Sequence, residues 1–173
     1  MILDKKERLI LANQYRILVR LDKENAGTYA NWQKALEEGY PAAYSQIFDD
    51  IYDGLTEEDC EFVVDVMSMY EALQRTFETH GQTSDLKQSD VSFPGFDGNN
   101  ETMFMAYARF VQRNEGRFDY LHASSKDLNS HFPSIEVYQR MLEVWRQKGE
   151  RLDLSVASAS EVLAARVHPS RRA

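Results

Sequence analysis

The sequence is poor in the residues that mark several common classes of protein. It has one cysteine, Cys60, in 173 residues, which excludes an intrachain disulfide framework and suits a reducing compartment. It contains no apolar run long enough to span a membrane. The apolar start of the chain is interrupted by charge at Asp4, so we expect no signal peptide. These absences predict a cytoplasmic protein with no membrane partner.

Positive charge is also scarce. The chain has 20 lysines and arginines against 28 acidic residues, a formal net charge of −8. Such a protein has no long-range attraction for phosphate backbones, so we expect no nucleic-acid partner. The one basic cluster is C-terminal, at Arg166, Arg171 and Arg172. A helix-turn-helix DNA-binding regulator is the least favoured hypothesis, because its second helix would begin TEEDCE and repel phosphates.

The chain does contain strong helical periodicity. Apolar residues make up 43% of the sequence, enough for a core, and no alternating strand pattern persists. Caps and spacing predict about seven helices, which begin near Asp4, Asn25 or Thr28, Pro41, Thr56, Asp97 or Gly98, Ser134, and Ser155 or Ser158. We therefore predict a single all-α domain over residues 1–166 with orthogonal or bundle-like packing and no sheet, followed by a flexible tail at 167–173.

The segment FPGFDGNNE, residues 93–101, interrupts this helical pattern. Its two phenylalanines are expected to anchor a loop, Pro94-Gly95 to form a turn, and Asp97 or Gly98 to cap the next helix. The alternative is that the free amides of that helix, with Asn99 and its neighbour, bind a small polar or anionic group. The two acids of the segment oppose an anion there, so the structural interpretation is favoured.

Two other features suggest polar chemistry. Arg109 lies within the apolar run MFMAYARFV, so its guanidinium needs an acid or water, and Asp65 or Asp97 is a plausible partner. Asn13-Gln14 interrupts the apolar surface of the first helix, and a buried amide there needs a loop carbonyl or a neighbouring subunit. A small polar ligand-binding or hydrolytic site would draw on Asn13, Gln14, Asp97, Asn99, Arg109 and Arg117.

The sequence leaves open whether the protein is an enzyme and favours a non-enzymatic role. The four histidines show no metal-binding spacing, and the neighbours of Cys60 are acids that would disfavour a thiolate. No glycine-rich nucleotide loop is present. We therefore expect no catalytic residue, no metal and no cofactor.

Five separated segments, ERLILANQYRIL, VVDVMSMYEAL, FPGFDGNNE, YARFVQRNEGRF and YQRMLEVW, resemble the YfbU family of uncharacterised bacterial proteins. The resemblance implies a multihelical cytoplasmic fold and self-association, and it supplies no catalytic residues. With the aromatic and leucine content, it favours a non-enzymatic, homo-oligomeric domain that acts through an unidentified protein partner. The first and sixth predicted helices are candidates for a two-fold interface.

Overall fold

The structure, a computed structural model, describes residues 2–81, 84–168 and 170. This part of the chain forms eight α-helices and one short 3-10 helix, with two isolated β-bridges and no strand. The predicted all-α class is therefore confirmed, with eight helices in place of about seven. The chain separates into two compact units, Met1–Asp53 and Gly54–Ala173, which are described individually. The extent of the domain, 1–166, stays a prediction.

The first unit is a helical hairpin with a short extension. Its elements are α1 (Lys5–Leu21), α2 (Ala26–Glu38), a 3-10 helix (Pro41–Ala43) and α3 (Tyr44–Phe48). A capping box between Asp4 and Glu7 starts α1 at the predicted position, and Gly39 ends α2 in the left-handed conformation. The core is small, and its buried apolar side chains are Ala12, Ala35, Leu36, Tyr44 and Ile47.

The second unit is organised around one long helix. Its elements are α4 (Glu57–His80), α5 (Gln88–Val91), α6 (Thr102–Arg113), α7 (Ile135–Gln147) and α8 (Val156–Ala164), and α4 contacts the other four. Thr56, the predicted start of α4, forms a capping box with Asp59, and Ser155, one of the two predicted starts of the last helix, caps α8. The buried face of α4 supplies much of the core, including Val63, Val66, Met67, Tyr70 and Leu73.

Two helix boundaries differ from the sequence prediction. The polar stretch 81–90, where the sequence predicts no helix start, contains the start of the four-residue helix α5, and its positions 82 and 83 lie outside the described residues. The N-cap of α6 is Glu101, which makes no side-chain bond to the helix, so Asp97 and Gly98 are not its caps. Asp97 instead bonds to residues of the preceding turn.

Arg166, the first arginine of the C-terminal basic cluster, packs against the second unit. Its guanidinium donates to the hydroxyl of Tyr70 (3.2 Å) and to the carbonyl of Asp90, and it stacks over the Tyr70 ring at 5.7 Å. Arg166 is therefore tied to the core of the second unit. Most of the predicted tail, including Arg171 and Arg172, lies outside the described residues.

Candidate functional site

The FPGFDGNNE segment is built into the core of the second unit. Phe93 and Phe96 are fully buried, and the ring of Phe96 lies 5.4 Å from the ring of Tyr138 on α7. Backbone hydrogen bonds join the segment to residues 122–130, with bridges at Phe93–Ala123 and Phe96–Asn129. The two phenylalanines are anchors, as the structural interpretation of the sequence holds.

Gly95 is required by the closeness of the neighbouring loop. Its φ is +88°, and a Cβ at this position would lie 2.0 Å from the carbonyl oxygen of Leu128. Its own carbonyl accepts a hydrogen bond from the hydroxyl of Tyr138 at 2.6 Å. Any side chain here would have to displace backbone atoms, because only glycine fits both the dihedral angle and the contact.

Glu101 joins the segment to the start of α7. Its buried carboxylate accepts the backbone N–H of Ser134 (2.6 Å), Ile135 (3.0 Å) and Asp97 (2.9 Å), together with the hydroxyl of Ser134. A carboxylate at a helix N-terminus satisfies free amide groups and interacts favourably with the helix dipole. Glu101, which stands at the start of α6, thus caps a different helix, α7.

Asp97 has its charge satisfied by its own turn. Its carboxylate accepts from the Asn100 side-chain amide and from the backbone N–H of Asn99 (3.1 Å), and these two bonds lower the pKa of Asp97. The Asn99 side chain is exposed. These partners give the loop a structural explanation, and a ligand is not needed to balance Asp97.

Arg109 has neither of the acidic partners expected from the sequence. Its Nε donates to the carbonyl of Asp127 at 2.7 Å, and Arg113, one turn later, donates to the carbonyl of Lys126 at 2.6 Å. Asp65 is paired with Arg146 at 2.6 Å. The prediction of a pair with Asp65 or Asp97 is wrong, because the two arginines hold the backbone of the loop that precedes α7.

Arg117 lines a groove between α4 and α6. The groove has a volume of about 450 Å³ and is lined by Glu57, Cys60, Glu61, Val64, Asp65, Tyr107 and Arg117. Burial raises the pKa of Tyr107, and the neighbouring Cys60 adds to the rise. Arg117 lies 3.5 Å from Glu115 and stacks over the ring of Phe118 at 5.4 Å.

A buried acid that the sequence analysis did not single out lies on α4. Glu71 accepts from the hydroxyl of Tyr120 (2.6 Å) and the Nε of Arg75 (3.0 Å), and its bond raises the pKa of Tyr120, with burial contributing less. Arg75 also stacks over the Tyr120 ring at 5.9 Å. The three groups satisfy one another and fasten the loop after α6 to α4, which is a structural role.

Asn13 and Gln14 are exposed on α1, in the first unit. Neither amide is buried within the chain, because the core-facing side of α1 is formed by Leu11, Ala12 and Tyr15. A bond to a neighbouring subunit stays a prediction. Of the six predicted site residues, a hydrogen bond directly joins Asp97 and Asn99. A polar site built from all six stays a prediction.

Gln14 belongs to an outward-facing apolar stripe that the sequence analysis did not separate from the core face. Ile10, Gln14, Ile17 and Leu21 follow one another at intervals of four, three and four residues, the spacing of coiled-coil a and d positions. The three apolar members are 49%, 57% and 75% exposed. We call these four residues the α1 stripe. The 3.6-residue period was visible in the sequence, but it does not say which of two apolar faces packs inside.

The described residues contain no group of three or more histidine, cysteine or acidic side chains placed to hold a metal ion. Among the helices in that part of the chain, none combines the length and hydrophobicity needed to cross a bilayer.

The comparisons with known proteins agree with the resemblance seen in the sequence. The model of the YfbU domain matches residues 1–165. The UPF0304 protein MJECS11 of Methanocaldococcus jannaschii is 36% identical over 167 residues, covering 93% of this chain and 98% of that protein. The chain therefore belongs to the YfbU family, which is also designated UPF0304 and is uncharacterised.

Proposed function

We propose that the protein is a non-enzymatic interaction domain that works as a homodimer, paired through the α1 stripe. The observation that supports this most strongly is the stripe itself, an exposed a/d pattern opposite the face with which α1 packs on α2. Isolated exposed apolar residues are ordinary, but a contiguous stripe at coiled-coil spacing is typical of an interface.

The small size of the first unit's core adds to the argument. Five apolar side chains are buried there, and an α-helical hairpin with so little buried surface gains stability from association. Helix α7, the other candidate interface, supports the proposal less well. Its apolar residues, such as Tyr138, Met141, Leu142 and Trp145, are already buried in the second unit.

Gln14 favours a parallel pair. In a parallel two-fold arrangement Gln14 faces its own copy, and the two amides can hydrogen-bond to each other. In an antiparallel arrangement Gln14 faces Ile17 of the second copy, and each amide loses water without gaining a partner, at about 1–3 kcal/mol apiece. The polar position in the stripe would thus set the orientation and the register.

The oligomeric state can be tested with a matched pair of variants. Light scattering at micromolar concentration should give the mass of a dimer for the wild-type protein and of a monomer for Ile17→Asp, because a carboxylate would be buried in the seam. Ile51→Asp is the control, since Ile51 is also an exposed isoleucine (71% against 57% for Ile17) but lies outside α1. A monomeric wild-type protein would contradict the proposal.

Disulfide cross-linking tests the orientation. In a Cys60→Ser background, Ile10→Cys should form a cross-linked dimer on mild oxidation if the helices are parallel, because the two introduced thiols then face each other. Ile10→Cys combined with Leu21→Cys would be needed for cross-linking in the antiparallel case. A dimer that cross-links only with both substitutions would retain self-association and exclude the parallel register.

The other hypotheses have less support. Asp97 and Arg109 make their hydrogen bonds within the loops of the second unit, which leaves little for a small polar ligand or for hydrolysis. The first turn of α4 holds Glu57, Glu58 and Asp59, which disfavours DNA. We also propose a cytoplasmic location, supported by the single cysteine.

A further inference from the structure

Helix α6 has a second apolar face that its own core does not use. Met105, Ala108 and Val111 face the core, while Met103 and Phe110 are 45% and 47% exposed on the other side. Tyr107 is half-buried between them and stacks with Phe110, with ring centroids 6.2 Å apart. We call Met103, Tyr107 and Phe110 the α6 face. Its members follow at helical spacing, so they line one side of the helix.

An acidic ridge runs along the neighbouring helix α4. Glu57, Glu61 and Asp65 recur every four residues, which places them on one side of the helix about 12 Å from end to end. Like charges at this spacing destabilise a helix. Asp65 is relieved by its pair with Arg146, whereas Glu57 and Glu61 are exposed. Glu57 is in turn favoured by the helix dipole, because it lies in the first turn of α4.

The groove of about 450 Å³ lies between these two features. Its lining includes the acids of the ridge together with Cys60, Val64 and Tyr107, so carboxylates lie beside an apolar and aromatic surface. The complementary ligand is a helix with apolar side chains on one face and lysines or arginines along one edge. Its cations would face the exposed Glu57 and Glu61, whereas Arg117, the cation in the lining, is paired with Glu115 at 3.5 Å.

We propose that the α4–α6 groove binds a basic amphipathic helix of a partner protein, with its apolar side chains on the α6 face and its cations on the acidic ridge. The occupant is a different protein from the second copy that pairs with α1. This interaction is separate from the homodimer. It rests on the proposed function as an interaction domain and specifies the chemical character of its protein partner.

A synthetic helix tests this surface directly. The probe is a fluorescent amphipathic peptide of about 15 leucine and lysine residues, roughly 22 Å long as a helix, titrated with the full-length protein and followed by fluorescence anisotropy. Glu57→Gln with Glu61→Gln should raise the Kd about tenfold, and added salt should weaken wild-type binding. The control is Glu136→Gln with Glu143→Gln, two exposed acids on α7, which should change the Kd less than about twofold.

The apolar half of the proposal has its own matched pair. Phe110→Ser should weaken the peptide about tenfold, whereas Phe132→Ser, which alters a phenylalanine of nearly the same exposure in a loop, should leave the Kd unchanged. A peptide of leucine and glutamate should not bind. Ile17→Asp should leave peptide binding intact, which separates this result from the fate of the homodimer.

Three results would overturn the proposal. The first is a wild-type Kd above about 1 mM for the leucine–lysine peptide. The second is equal weakening by the groove and control variants, since this would show attraction to the net charge alone. The third is a fall from dimer to monomer mass with Phe110→Ser, which would assign the α6 face to a second copy of the chain.

Discussion

Replacing Glu101 with glutamine is the sharpest test of how the second unit is held together. Oε1 of Glu101 accepts the N–H of Ser134 and of Ile135, and Oε2 accepts the N–H of Asp97 and the hydroxyl of Ser134. Glutamine has the same shape but only one acceptor oxygen. Its amide N–H₂ group must therefore face donors, and at least one backbone N–H in the core loses its partner.

The expected loss follows from these bonds. A hydrogen bond to a charged group contributes about 1.5–3 kcal/mol, and losing the negative charge at the start of α7 removes about 0.3–1 kcal/mol more. The Ser134 hydroxyl can rotate to accept from the new amide, which recovers one contact. We expect Glu101→Gln to lower the free energy of unfolding by about 2–4 kcal/mol.

Tryptophan fluorescence can report this unfolding locally. The chain has two tryptophans, and Trp145 is buried on α7, the helix that Glu101 caps. In a Trp32→Phe background, urea unfolding followed at Trp145 therefore measures the second unit. Glu136→Gln is the matched control, because Glu136 is an exposed acid in the first turn of the same helix and should cost at most about 1 kcal/mol.

Two outcomes would contradict a stabilising role for the Glu101 hydrogen bonds. If Glu101→Gln lowers the unfolding free energy by less than about 1 kcal/mol, and the slope of that free energy against urea concentration is unchanged, the buried bonds do not stabilise the fold. If Glu136→Gln costs as much, the helix dipole explains the effect and the four specific contacts do not.

Three further predictions concern the same loop. Gly95→Ala should be among the most destabilising single substitutions, because its Cβ would overlap the carbonyl of Leu128 and its φ is +88°; soluble yield and thermal unfolding would show this. Tyr138→Phe should cost about 1–3 kcal/mol in urea unfolding, since the buried carbonyl of Gly95 loses its close donor at 2.6 Å and keeps the Ser134 hydroxyl at 3.4 Å. The pKa of Asp97 is lowered in the fold, so its contribution to stability is present above its unfolded pKa of about 3.9 and is lost as the pH falls through the folded value. The urea midpoint of Asp97→Asn should therefore fall less than that of wild type between pH 5 and pH 3.

The sequence predicts a helix start well when the cap is local. Asp4, Thr56 and Ser155 accept hydrogen bonds from backbone N–H groups three residues ahead, so four consecutive residues are enough to predict each helix start. Glu101 shows where this fails. It is four residues from Asp97, but its other partners are 33 and 34 residues away, and no local pattern says that an acid at one helix start caps another helix.

The partner of Arg109 could not be predicted from the sequence, again because it is distant along the chain. A search of the sequence for a charge partner considers acids, whereas Arg109 donates to a backbone carbonyl 18 residues further on. Every residue has such a carbonyl, so the pairing leaves no compositional trace. The loops between α6 and α7 are thus held by contacts that only the three-dimensional arrangement reveals, while the helices themselves follow from periodicity.

Helical periodicity does not say which of two apolar faces of a helix packs in the core. The two proposed surfaces are the faces that remain once the structure assigns the core. A helix whose apolar residues cover one face is explained by its core, but α1 and α6 each carry apolar residues on two faces. From the sequence alone both faces count as core, and α1 is expected to be enclosed on more than one side. Once the structure assigns one face of each helix to the core, the other face needs its own explanation. The α1 stripe has a polar residue that matches a copy of itself, and the α6 face has carboxylates beside it that match cations. The chemistry next to each face, more than its hydrophobicity, therefore distinguishes a self-pairing surface from one for a different partner.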